Sequence, residues 1–142
     1  MSHTSIARPV PSAPAVPAET PSVPASESLF DAEKLDAYRV ALEFQALASV
    51  LLPRRGQSTL RDQLDRASTS ILLNTAEGAG RFSPPDKAHF YSIARGSTTE
   101  CAAILDLLLA RGLTSPALYR RGRALLLRLV QMLTKLMARM AV

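Results

Sequence analysis

Apolar residues recur every three to four positions from Phe30 to the end of the chain, which is the spacing of amphipathic α-helices. Residues that start or stop helices divide this region into four segments. The residues that start or stop the helices are Pro53, Gly78, Gly80, Ser83, Pro84, Gly112, Thr114 or Ser115, and Pro116. We predict helices over about residues 31–52, 59–79 and 84–111, and a fourth from about residue 116 nearly to the end.

One face of each predicted helix is assigned to the core. In the first it is Leu35, Tyr38, Leu42, Gln45, Ser49 and Leu52, widened by Phe44, Leu47 and Leu51. In the second it is Leu60, Leu64, Ala67, Ile71, Asn74 and Gly78, and in the third Phe90, Ile93, Ala94, Ser97, Cys101, Ile104, Leu105 and Leu108. Short loops make consecutive helices antiparallel neighbours. The predicted fold is therefore all-α, an antiparallel up-down-up-down four-helix bundle over residues 30–142.

Residues 1–29 have a different character. Six of the ten prolines lie in this segment, separated by Ala, Ser, Val and Thr. Proline removes backbone donors and the small residues bury little surface, so we expect a disordered or polyproline-like tail. It is either an inert extension or a docking tether.

Composition limits the class of protein. Large aliphatic residues and alanine dominate, aromatic residues are 5% and tryptophan is absent, which favours packed helices over a sheet. A single cysteine, Cys101, excludes an intrachain disulfide. The N-terminus lacks a continuous apolar stretch, and Arg128, Lys135 and Arg139 interrupt the most apolar segment. We expect a cytoplasmic protein without a membrane partner.

Positive charge is concentrated in the last helix. The formal net charge is +5, and no acidic residue follows Asp106. At 100° per residue, Arg121, Arg128, Lys135 and Arg139 fall within about 40° of one another. They lie beside the apolar arc of the fourth helix, which spans about 160° and contains Leu118, Leu125, Leu126, Leu129, Val130, Met132, Leu133, Leu136, Met137 and Met140. This stripe could follow a phosphate backbone, or it could be solvated side chains covering the edge of the core. Arg54, Arg55 and Arg81 are further candidate nucleic-acid-binding residues.

Two polar clusters lie in the middle of the chain, at residues 70–81 and 93–100. Asn74 falls on the core face of its helix, where an unpaired amide would be costly. We expect a polar network between the second and third helices, formed by Asn74, Glu77, Arg95, Ser97 and Glu100. A ligand site is one alternative. Another is that Gly96, Glu100, Ala103 and Leu107 pack against a second subunit.

Residues suited to catalysis are sparse. His3 and His89 are far apart in sequence, and Cys101 falls on an apolar face. No spacing typical of a metal site or a phosphate-binding loop is present. We expect no enzyme activity, cofactor or metal.

The two clusters resemble the signature of a bacterial four-helix-bundle family. The residues concerned are Asn74-Thr75-Ala76-Glu77-Gly78-Ala79-Gly80-Arg81, then Phe90, then Ile93-Ala94-Arg95-Gly96-Ser97 and Glu100, with Leu35, Tyr38 and Ala41 upstream. That family includes proteins encoded in intervening sequences of large-subunit rRNA genes and the accessory variability protein of diversity-generating retroelements. Thr75 departs from its usual Ile or Val.

The resemblance implies a ring-like homopentamer. In the retroelement branch it also implies a basic surface for RNA or DNA and a reverse transcriptase as partner. The resemblance implies no catalytic site in this chain. We therefore expect a non-catalytic accessory protein that binds nucleic acid or a ribonucleoprotein partner. The alternative is a purely structural self-assembling bundle.

Overall fold

The computed structural model describes residues 30–51 and 56–141, together with Pro9. It contains a 3-10 turn at Asp31–Lys34 and four helices: α1 (Asp36–Leu51), α2 (Ser58–Gly80), α3 (Pro84–Ala110) and α4 (Pro116–Met140). The predicted all-α bundle is thus confirmed. The predicted tail, apart from Pro9, lies outside the described part of the chain, as do Leu52 of the predicted core face and the candidate binding residues Arg54 and Arg55.

The starts of α3 and α4 are set by the residues that the sequence suggested. The Ser83 hydroxyl accepts a hydrogen bond from the backbone N–H of Asp86 at 3.2 Å, and Ser115 accepts one from Leu118 at the same distance. A proline follows each serine, where no intrahelical donor is needed. Gly112, with φ +67°, lets the chain reverse after α3.

Each helix packs against its neighbours in sequence, and α1 closes the bundle against α4. The pairs are antiparallel. Ser70 in the middle of α2 meets Ser97 in the middle of α3, while Gly78 near the end of α2 meets Tyr91 near the start of α3. The largest fully buried apolar side chains are Phe44, Leu64, Ile71, Leu105, Leu108, Leu126, Leu129 and Leu133.

Two glycines allow helices to approach closely. A Cβ at Gly78 would lie 2.7 Å from the Tyr91 ring, and one at Gly122 would lie 2.9 Å from a Leu105 methyl group. Real Cβ atoms do not pack at these distances. Glycine at position 78 therefore lets α2 pack closely against α3, and glycine at position 122 lets α4 pack closely against α3. Gly122 is buried although it was not among the predicted core residues.

The predicted core face of α1 is partly wrong, because Phe44, Leu47 and Leu51 are buried as predicted but the centre of the face is displaced. Leu42 is 45% exposed and Ser49 is exposed, and α1 starts only after a break at Leu35. The buried residues are Ala37, Val40, Ala41, Phe44, Leu47, Ala48 and Leu51. Alanine and leucine lie on several sides of this helix, so two stripes with similar spacing were available. The break at Leu35 and the packing partners select the one centred on Phe44.

The N-terminal half of the α3 face is also displaced. Tyr91 and Thr98 are buried, whereas Phe90 and Ser97 are half-buried and Ile93 is 39% exposed. The Thr98 hydroxyl donates to the Ala94 carbonyl oxygen at 2.8 Å, and Thr75 in α2 likewise donates to Ile71 at 2.6 Å. Each threonine satisfies its polar atom within its own helix and can therefore occupy a core position.

Candidate nucleic-acid interface

Four cationic side chains follow the exposed surface of α4. Arg121, Arg128, Lys135 and Arg139 are all exposed. Successive members are four or seven residues apart, which corresponds to about 6–10 Å along a helix axis. The apolar residues beside them are buried (Leu125, Leu126, Leu129 and Leu133) or half-buried (Leu118, Val130, Met132, Leu136, Met137 and Met140). We call these four cations the basic stripe.

The C-terminal part of the basic stripe lies beside the start of α1. Lys135 and Arg139 line a cleft between the two helices, opposite Lys34 and Asp36. Its volume is about 350 Å³. The cleft therefore contains three cations and one carboxylate, and this carboxylate also lies 3.7 Å from Arg39.

The cations of α4 have no direct carboxylate partner in the described part of the chain. The three ion pairs found there are Lys34–Asp31, Arg39–Asp36 and Arg81–Glu77. Each joins exposed residues three or four positions apart, and such pairs contribute little to stability. Acidic residues thus neutralise cations near α1 and α2, while the basic stripe keeps its charge available to an anionic ligand.

Arg81 lies at the end of the bundle, away from the centre of the stripe. Its guanidinium group binds Glu77 Oε1 at 2.6 Å and lies 4.7 Å from the centre of the Phe90 ring. The guanidinium therefore has an anionic and an aromatic partner on neighbouring elements. Arg81 and Arg139 line the same cleft, so the structure brings together two of the candidate binding residues from different helices.

Lys34 and Lys87 line that cleft as well, although neither was a predicted site residue. Lys87 Nζ donates to the carbonyl oxygens of Ala79 at 2.8 Å and Gly78 at 3.3 Å, at the C-terminal end of α2. A cation there complements the negative end of the helix dipole. No local motif marks these lysines, because their proximity depends on how the helices meet.

The polar cluster between α2 and α3 is smaller than the predicted network. The Ser70 and Ser97 hydroxyl oxygens are 2.7 Å apart. Asn74 Nδ2 donates to the Ser70 carbonyl oxygen at 2.9 Å and to its hydroxyl at 3.0 Å. Asn74 and Ser97 are therefore joined through Ser70, which the proposed network did not include.

The other three residues of the predicted network have different surroundings. Glu77 pairs with Arg81 within α2 and its C-terminal extension. Arg95 Nε donates to Thr134 Oγ1 at 2.9 Å and so links α3 to α4. Glu100 is exposed at the edge of a shallow cleft beside Ser70 and Ser97. The geometry therefore does not support a single five-residue network.

Cys101 is buried in the core. Burial raises the pKa of its thiol to about 12, with a further contribution from the Glu100 carboxylate. The protonated form is poorly nucleophilic. His89 is exposed and its ring lies 5.2 Å from that of Phe90. Within residues 30–51 and 56–141, no group of three or more His, Cys, Asp or Glu could hold a metal ion.

None of the described helices combines the length and apolar character needed to cross a membrane. A search of curated proteins finds no match. The family model described as 23S rRNA-intervening sequence protein matches residues 33–135. This match extends over α1, α2 and α3 and most of α4, which is more than half of the chain. The chain therefore belongs to the 23S rRNA-intervening sequence protein family.

Proposed function

We propose that this protein binds RNA through the basic stripe of α4 and acts as a non-catalytic accessory protein. The observation that carries the proposal is the run of four exposed cations, none with a carboxylate partner in the described part of the chain. Their spacing allows successive side chains to contact different phosphates of one strand. The family description names a ribosomal RNA context, which makes RNA the first ligand to test and DNA the second.

The proposal predicts affinity that depends strongly on salt. Four phosphate contacts to a single strand correspond to a slope of about −3 in log affinity against log salt concentration. Fluorescence anisotropy of a labelled single-stranded RNA, titrated with the full chain between about 50 and 300 mM KCl, measures this slope. Absence of binding at the lowest salt, or affinity that does not change with salt, would contradict the proposal.

The retroelement branch of the family provides a finer version of the proposal. In that version the chain is an accessory variability protein, and its protein partner is a reverse transcriptase. A reverse transcriptase gene beside this one, together with co-purification of the two proteins, would support this branch. An rRNA gene insertion at the same place would support the other branch.

Self-association is the second candidate function, and the outer surface of α2 and α3 favours it. Leu73 is 60% exposed, and Ile93 and Leu107 are 39% and 37% exposed. Gly96 lies in the middle of α3, where glycine costs about 1 kcal/mol relative to alanine. A Cβ there would meet nothing within 4 Å, so packing within the chain does not require this glycine.

A second copy of the chain is the partner that this surface suggests, because a helix without a side chain at Gly96 can approach another backbone closely. The homopentamer implied by the family resemblance would use such an interface five times. In the alternative function the bundle only self-assembles, as a scaffold or adaptor, and the basic stripe has no nucleic-acid ligand.

Gly96→Lys tests whether the surface of α3 around Gly96 is buried between subunits or exposed to solvent. If Gly96 is buried between subunits, the lysine should dissociate the assembly to the 15.3 kDa chain while raising the helix content of the monomer. Light scattering at micromolar concentration measures the mass. Ala124→Lys, on the exposed face of α4, is the matched control and should leave the mass unchanged. A wild-type monomer, or an assembly unaffected by Gly96→Lys, would contradict the proposed interface.

A further inference from the structure

Phe82 is fully exposed, at 100%, in the short connection between α2 and α3. A single exposed apolar side chain is not unusual on a protein surface. The surroundings of Phe82 are more informative than its exposure, because the side chain lines a cleft where the end of α2, the start of α3, the end of α4 and the turn before α1 meet. The cleft has a volume of about 460 Å³, within the range of pockets that hold small organic groups.

This cleft combines an apolar floor with a cationic rim. Tyr91, Leu136 and Met140 contribute apolar surface. Lys34, Arg81, Lys87 and Arg139 are its cations, and Asp31 is its one acidic residue among the described lining. Lys34 pairs with Asp31, Arg81 pairs with Glu77 and Lys87 binds the carbonyl oxygens at the end of α2, so Arg139 is the cation of this rim with no such partner in the described part of the chain. An apolar, partly aromatic surface bordered by cations suits a ligand that has a flat ring and an attached phosphate. A nucleotide has both parts.

The cleft is continuous with the basic stripe. Arg139 lines this cleft and also the one between α1 and α4, where Lys135 lies. Lys34, Leu35 and Leu136 are likewise shared by the two clefts. A strand whose phosphates follow α4 towards its C-terminal end would therefore arrive beside Phe82.

We propose that Phe82 stacks on an unpaired base of RNA, while Arg139, which has no carboxylate partner in the described part of the chain, binds an adjacent phosphate. This inference rests on the proposed function and makes it more specific, because it selects unpaired nucleotides over duplex RNA. Bases in a duplex are already stacked and paired, whereas those of a single strand have free faces. Stacking on an aromatic side chain tolerates any base, so the site discriminates strandedness and not sequence.

The absence of tryptophan from the chain permits a direct test. Phe82→Trp introduces a unique indole that retains the stacking surface. We expect an unstructured oligouridine of about 12 nucleotides to quench its fluorescence, and a blunt duplex of equal length to quench it far less. Leu127→Trp is the matched control, at a 56% exposed position on α4 away from the cleft, and its emission should change little with either RNA.

Phe82→Ala tests how much the stacking of one base on Phe82 contributes to RNA affinity. Loss of one stacked base should weaken binding of the oligouridine about 5- to 100-fold and leave duplex affinity unchanged. Phe82→Tyr should retain the affinity. Because Phe82 is fully exposed, the thermal unfolding midpoint of each variant should match that of the wild type.

The outcomes distinguish this inference from the proposed function. Equal affinity of Phe82→Ala and wild type for the oligouridine overturns the stacking site and leaves binding by the basic stripe intact. Equal quenching of the Phe82→Trp fluorescence by both RNAs likewise overturns the stacking site and leaves binding by the basic stripe intact. If the wild type binds neither RNA, both proposals fail. A change in the mass of the assembly on Phe82→Ala would show that Phe82 contacts a second copy, and this also overturns the stacking site.

Discussion

Replacing Phe44 with alanine is expected to lower the free energy of unfolding by about 3–5 kcal/mol. Phe44 is the largest of the fully buried side chains and lies in the core cluster with residues from all four helices. Its removal leaves a cavity that the surrounding core side chains can only partly fill, so the lost transfer free energy and the lost packing both destabilise the folded state. Urea unfolding followed by circular dichroism measures the loss.

Leu42→Ala is the matched control for this experiment. Leu42 is only two residues away but is 45% exposed, so its truncation should cost less than about 1 kcal/mol. The comparison tests the orientation of α1 directly, because the apolar pattern alone placed Leu42 on the core stripe and Phe44 at its margin. A greater loss for Leu42→Ala than for Phe44→Ala would mean that α1 is rotated relative to the structure described above.

Reversing the charge of Arg121, Arg128 and Lys135 together is expected to weaken RNA binding about 100-fold or more at 0.1 M salt. Removal of three phosphate contacts lowers the salt slope by about 2, which corresponds to two decades of affinity between 1 M and 0.1 M salt. The three glutamates also repel the strand. The measurement is the anisotropy titration of the proposed function, repeated with the Arg121→Glu, Arg128→Glu, Lys135→Glu variant.

A second triple variant controls for net charge. Arg66→Glu, Arg120→Glu and Arg123→Glu change the charge by the same amount at exposed positions outside the basic stripe. This control should lose much less affinity, because long-range attraction falls while the direct phosphate contacts remain. If both triple variants lose affinity equally, binding depends on overall charge and the basic stripe is not a site. If neither loses affinity, the RNA binds elsewhere.

The ends of the helices were predictable because they depend on local chemistry. The serine caps at Ser83 and Ser115, the prolines that follow them and the glycine at Gly112 all act within a few residues. The start of α1 is the exception. There Asp31–Lys34 form a 3-10 turn before the α-helix begins, although the apolar spacing continues without interruption.

The faces of the helices were harder to predict because they depend on the partner. Thr75 and Thr98 counted as polar residues in the pattern, yet both are fully buried with their hydroxyls bonded to the preceding turn. The fourth helix was the clearest case. In that helix the apolar residues and the basic stripe occupy separate arcs. The spacing of the residues in the sequence was therefore enough to place Arg121, Arg128, Lys135 and Arg139 on one side.

The candidate site was only partly predictable. A stripe on one helix can be derived from 100° per residue, and the cations of α4 were found in this way. The cleft around Phe82 joins residues that are more than 100 positions apart, from Asp31 to Met140. Such a site follows from the way the helix ends converge, and neither Phe82 nor Lys34 carried a local signal for it.

The closure of α1 against α4 has a consequence for the entropy of the chain. The other helix pairs are joined by short connections, whereas α1 and α4 are separated in sequence by the whole of α2 and α3. The cost of closing a long loop therefore falls mainly on this interface. An RNA strand bound across the cleft, with phosphates held by Lys34 on one side and Lys135 on the other, would tether the two ends of the bundle. Bound RNA would thus act as a non-covalent cross-link that reduces the freedom of α1 to detach.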